Sequence, residues 1–226
     1  MAQQERAVRT RRAVVEAAAA VFAERGYAGA TIAEILERAG VTKGALYFHF
    51  DSKQALARGV IDAQVAGDRW AERELKLQEF VDLGMTLAYR IPNEVILQAG
   101  IRLSADVQGR ALFGSAWPAW TDLVAGLLTE AKERGEALPH LVPEETAEFF
   151  LGAWVGIQAV SEANSQWADL SYRVSVLYKH VLPAIATPAS LIRLDIAPDR
   201  GMRVVEQLPG PQPADTGAPV LTPADA

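Results

Sequence analysis

The chain has no cysteine, and its 226 residues include only three histidines. That rules out disulfides and thiolate metal sites and fits a reducing, cytoplasmic compartment. His49, His140 and His180 lie too far apart to form the i, i+4 pair that clasps zinc on a helix, so neither metal nor cofactor is expected. Long apolar runs are also missing. The longest candidate, "FFLGAWVGIQAVS" at 149–161, falls short of the roughly 18 residues a membrane span needs and reads as a buried helix. The opening "MAQQERAVRTRR" has no apolar stretch behind its charges, so it does not read as a secretory signal. No Gly-x-Ser-x-Gly elbow, His-Glu-x-x-His pair, phosphate-cradling glycine loop or cysteine nucleophile occurs. The many carboxylates read as solvated surface, and no enzyme is expected.

Positive charge is scarce overall but unevenly spread. The net charge is −6, yet residues 1–60 hold nine Lys/Arg against six Asp/Glu, while 61–226 hold thirteen against twenty-two. A small basic head on an acidic body confines any polyanion contact to one end.

Strand alternation is almost absent, and helical punctuation dominates. In "RRAVVEAAAAVFAERG" Val14, Ala17, Ala18, Val21 and Phe22 form one apolar stripe, which Gly26 ends. Thr31 and Glu34 make a capping box for "TIAEILERAG", and Gly40 closes that helix. Thr42 caps a third helix of about two turns. Asp51 and Gln54 signal a long fourth helix over roughly 52–75. Further helices are expected near 77–90, 93–105, 117–134, 144–163 and 167–184, with Gly109 in a break and Pro118 in a first turn. From Pro198 onward six prolines fall in 29 residues, and this tail is expected to be disordered.

Two short helices joined by a glycine turn form the helix-turn-helix pattern. In "VTKGALYFHF" (41–50) Val41, Leu46 and Phe50 point inward, while Phe48 stays open between core and partial exposure. Thr42, Lys43, Gly44 and Tyr47 lie on the turns that meet base edges or phosphates in this motif. Glycine costs about 1 kcal/mol relative to alanine inside a helix, so Gly44 suggests a close approach of something to the backbone. Lysine can reach guanine O6/N7, and Thr42, Tyr47 and His49 suit phosphates.

The segment "GYAGATIAEILERAGVTKGALYFHFDSKQALA" resembles the DNA-binding head of the tetracycline-repressor (TetR) family. The resemblance implies an all-α homodimer: a three-helix helix-turn-helix head (1–51), a larger helical ligand-binding and dimerisation domain (52–197), and the proline-rich tail (198–226). It also implies DNA contacts by Thr31, Thr42, Lys43, Gly44, Tyr47, His49 and Lys53. In the body, "DAQ", "AGIRLS", "GIQAVSEA" and "KHVLPAIATP" are similar to the γ-butyrolactone receptors of streptomycetes, regulators that answer a lactone, butenolide or furan signal. This second layer implies ligand contacts by Gln64 and Trp120, and control of antibiotic production. Tyr89, Trp154 and Gln158 are added from local pattern, with plain packing as the competing reading for each. The expected partners are double-stranded operator DNA, the small-molecule signal, and a second copy through helices 144–163 and 167–184. A TetR-type regulator without lactone response, either a pseudo-receptor or a sensor of an antibiotic or efflux ligand, is the alternative.

The fourth helix joins the two ends. Gln64 follows Lys53 by eleven residues, about 16 Å along the axis and on nearly the same side. One rigid element could therefore touch DNA and ligand together, and its tilt could change the spacing of the two recognition helices.

Overall fold

A computed structural model describes residues 2–66 and 72–207. Among them are twelve α-helices, one 3-10 turn at Ile91–Asn93 and no strand beyond a single antiparallel bridge between Ala137 and Ala186. The head comprises α1 (Ala2–Gly29), α2 (Ile32–Ala39) and α3 (Lys43–His49), packed on α4 (Lys53–Ala66). The body follows with α5 (Lys76–Arg90), α6 (Val95–Ala105), α7 (Val107–Phe113), α8 (Trp117–Glu133), α9 (Pro143–Ser165) and α10 (Leu170–Ile185). Two short helices, α11 (Pro188–Leu191) and α12 (Arg200–Gln207), complete it.

Local chemistry sets the head. Gly26 breaks α1 with φ 69, and one further turn follows it. The Thr31 hydroxyl accepts the Glu34 N–H at 3.2 Å while the Glu34 carboxylate accepts the Thr31 N–H at 3.0 Å, the reciprocal box expected there. Gly40 closes α2 in the left-handed region at φ 63. Thr42 caps α3 by accepting from Ala45 N–H at 3.2 Å. Leu46 and Phe50 are buried, and Gly59 on α4 makes room for the Phe50 ring: an added Cβ would lie 2.6 Å from Phe50 Cε1.

The body is organised around α5, in which every side chain from Lys76 to Thr86 is buried. α8, α10 and α12 all pack against it, and α9 lies against α8 and α10. The largest interface between head and body joins α1 to α6, supported by α4 on α6.

Several expectations are corrected. The cap of α4 is Ser52, whose hydroxyl accepts from Ala55 N–H at 3.0 Å, not Asp51. The fourth helix does not run to 75. Residues 72–75 turn back onto α5, where Glu79 takes the Arg73 N–H at 2.9 Å and Asp82 takes its guanidinium at 2.7 Å. Gly109 does not interrupt the chain but lies inside α7, where the Phe113 ring occupies the place of its missing side chain. The Asp106 carboxylate caps that helix, accepting from Gln108 and Gly109 N–H at 3.0 and 2.8 Å.

The segment from Pro198 is also ordered as far as Gln207. α12 lies flat on α5 because Gly201 lets its backbone meet the Met85 carbonyl, where any Cβ would collide. Arg200 clamps it there, donating from Nε and Nη2 to the two oxygens of the wholly buried Asp82, each at 2.7 Å. Low mean hydropathy hid this helix from the sequence reading; a buried ion pair holds it together with the buried Val204. Residues 208–226 of the expected tail, and Trp70, lie outside the described residues.

Candidate nucleic-acid interface and ligand site

α3 is too short to bury more than one side. Leu46 is its buried contact, and Ala45 and His49 are half-buried beside it. At 100° per residue, Lys43, Tyr47, Gly44 and Phe48 then fan across the opposite face, and all four are exposed. The Lys43 ammonium hovers 5.9 Å from the centre of the Tyr47 ring, which keeps both at the surface. Nothing lies within 4 Å of where a Gly44 Cβ would sit, so the glycine serves no packing need inside the chain. Phe48 is 80 % exposed, which decides the question the sequence left open for it.

The remaining expected DNA residues have other attachments. Thr31 is exposed, but its hydroxyl also donates to the Glu34 carboxylate at 2.8 Å, a bond that holds that carboxyl below its usual range. The Thr42 oxygen accepts the cap bond and leaves its own proton free to point outward. His49 is half-buried, and desolvation, then the nearby Arg11 charge, lowers its pKa. Lys53 does not project freely: its ammonium lies 4.5 Å over the Tyr27 ring, and partial burial lowers its pKa.

In the body, Gln64, Trp120, Trp154 and Gln158 are all buried, and Tyr89 is half-buried. Gln64 sits against Gly100 of α6, where an added Cβ would strike its carboxamide. Trp154 and Tyr178 converge on Gly84 of α5; the Tyr178 hydroxyl donates to the Phe80 carbonyl at 2.7 Å. Gln158 donates to Glu162 at 3.3 Å. Tyr89 lies beneath Gly201 of α12 and packs there. A cleft of about 160 Å³ between α10 and residues 191–196 is lined by Tyr178, Leu182, Pro183 and Leu194, with none of the five expected ligand residues.

What distinguishes the interior is unpaired polarity. Gln64 Oε1, Thr86 Oγ1, Trp154 Nε1 and Ser175 Oγ are buried without a hydrogen-bond partner. Each such atom costs roughly 1–3 kcal/mol and calls for a reason. Thr86 and Ser175 carry no sequence signal, since one hydroxyl on a helix reads like any other until its surroundings are known.

Gln64 also adjoins the head. Two residues beyond its neighbour Gly100, Arg102 donates from Nη1 to the Ala23 carbonyl, just before the Gly26 break in α1. α6 therefore touches both Gln64 and the head, a second connection that the fourth helix alone did not suggest.

Residues 14–60 match the family of bacterial regulatory proteins named for TetR. The A-factor receptor protein of Streptomyces griseus is 43% identical over 195 residues, covering 86% of this chain and 70% of that one. The chain belongs to the TetR family. This TetR-family chain is also similar to the full-length native TetR regulator TylP of Streptomyces fradiae, with TM-score 0.84 and 39% identity over 89% of this chain and 98% of that one. A structure described as the molecular basis for control of antibiotic production by bacterial hormones matches with TM-score 0.70 and 31% identity, covering 79% of this chain and 98% of the other. As a TetR-family member the chain is a DNA-binding transcription regulator. No helix among the described residues is long and apolar enough to cross a membrane.

Proposed function

We propose that this TetR-family regulator represses transcription by binding a palindromic operator as a homodimer, and that a γ-butyrolactone, butenolide or furan-type signal releases it, so that antibiotic production is the controlled output. The observation that carries the DNA half is the outward face of α3, where Lys43, Gly44 and Tyr47 are exposed and Gly44 meets no packing need. Lys43 reads a base edge in this account, and Thr42, Tyr47, His49, Lys53 and Thr31 contact phosphates. Likeness to a receptor of A-factor supports a ligand of this class.

The unpaired atoms of Gln64 and Trp154 support a ligand that brings its own donors and acceptors into the apolar interior. Tyr178 and Trp154 fill the space over Gly84, so a ligand entering there must move them. Displacing Gln64 from Gly100 would shift α4 against α6, and the Arg102 bond to Ala23 would pass the shift to α1. A two-fold dimer reads half-sites about one DNA turn apart, roughly 34–36 Å or a multiple, so a small change in spacing loses contacts on both together. The coupling is reciprocal, so operator DNA weakens ligand binding by the same factor.

The proposed dimer surface is α9 with α10. Phe149 (65 % exposed), Val160 and Tyr172 are exposed there, and Gly152 and Gly156 face open space one turn apart. Small residues at that spacing allow two helices to approach closely, and four helices complete the contact.

The test is selection of bound duplexes from a randomised library, followed by salt-dependent titration of two variants. Lys43→Ala should lose discrimination between selected and random DNA. Lys53→Ala should weaken both about equally and lower the salt slope by about one. Failure to enrich any sequence would refute the DNA reading. The reverse pattern for the two lysines would exchange their roles.

A further inference from the structure

Phe48 has no part in the DNA contacts proposed for its neighbours on α3. Its ring is 80 % exposed and meets His49 edge to face, with centroids 5.0 Å apart at 82°. It is not a failed core residue, because Leu46 and Phe50 already supply the inward contacts of this segment. It stands one turn beyond Gly44, the position with open space around its missing side chain, and shares the arc that holds Lys43 and Tyr47. A phenyl ring has no donor or acceptor, so it can neither bind phosphate nor read a base by hydrogen bonding. On the major-groove edge the one apolar group that distinguishes a base pair is the thymine 5-methyl.

We propose that Phe48 reads sequence by seating its ring against the 5-methyl of one thymine in each operator half-site. Gly44 lets the helix come close enough to the groove floor for the ring to reach. The inference rests on the reading that α3 enters the major groove, and adds a specificity-determining residue to it. Lys43 selects by charge and hydrogen bonding, and Phe48 by the presence of a methyl group.

Replacing thymine by deoxyuracil removes that methyl while leaving pairing intact. Each thymine of the selected operator is replaced in turn, symmetrically in both half-sites, and affinity is measured for the full-length wild type and for Phe48→Ala. Wild type should lose about fourfold per half-site at one position, about fifteenfold for the pair, as expected from exposing one methyl-sized group. Phe48→Ala should bind the thymine and uracil duplexes equally well, and Phe48→Leu should keep part of the preference. Because the ring is 80 % exposed, Phe48→Ala should melt at the wild-type temperature. If wild type tolerates uracil at every position, or Phe48→Ala keeps the wild-type penalty, the assignment is overturned while operator binding stands. If wild type enriches no sequence at all, the groove reading and this inference fall together.

Discussion

Asp82→Ala is the perturbation whose size the structure sets most firmly. The carboxylate is wholly buried in α5 and accepts four bonds, each 2.7 Å long: from Arg73 Nε, Gln78 Nε2, and Nε and Nη2 of Arg200. Alanine leaves two guanidinium groups, 23 % and 13 % exposed as side chains, facing each other without the anion between them. Breaking a buried pair by removing one partner costs about 3–5 kcal/mol. For a chain of this size 1 kcal/mol shifts the melting temperature by roughly 2–4 °C, so the variant should melt about 6–20 °C below wild type. Arg200→Met, which removes the cation and fills the space, should recover part of the loss when combined with Asp82→Leu. Calorimetry reads both. A melting temperature within 2 °C of wild type for Asp82→Ala would refute the idea that this cluster holds α12 and the α5 entry to the body.

Three further outcomes follow from other sites. Gly59→Ala should destabilise the head by about 1–3 kcal/mol, since its Cβ would lie 2.6 Å from the Phe50 ring; denaturant unfolding checks this, and a gain from helix propensity would count against it. Gly152→Ala and Gly156→Ala meet nothing in their own chain and should each raise protomer stability by up to about 1 kcal/mol, yet weaken the dimer if α9 meets its mate there; sedimentation across a concentration series separates the two effects. Asp169, which accepts from the Ser161 and Ser165 hydroxyls and from Arg173, has its pKa lowered to about 2. Its contribution is therefore present at neutral pH and lost as pH falls from the ordinary carboxylate value toward 2, so stability of Asp169→Asn and wild type should converge at the acid end of a pH series.

Much of the head was legible because its signals are local. A capping box, a left-handed glycine and a threonine cap act over four residues, and their chemistry settles the turn before any tertiary contact forms. The same locality explains what was missed. Gly109 read as a break, but its role depends on the Phe113 ring that folds onto it, as that of Gly59 depends on the Phe50 ring. α12 has no apolar run to announce it, and its place depends on Asp82, 118 residues earlier than Arg200. Tyr89 was open in the sequence between ligand contact and plain packing, and the helix whose Gly201 meets its Cβ was itself not foreseen. Among the candidate ligand residues, Gln64 and Trp120 came from family likeness, while the unpaired hydroxyls of Thr86 and Ser175 could emerge only from coordinates.

The central claim is that a small molecule in the body moves α3 away from the operator. Titrating γ-butyrolactones, butenolides and furans against a preformed complex of labelled operator with wild type, and with Trp120→Ala, tests it directly. At least one compound should weaken wild-type operator affinity by about 5- to 150-fold, with Trp120→Ala bound as tightly to DNA but deaf to that compound. Unchanged affinity across the panel, or full release of Trp120→Ala, would contradict the account.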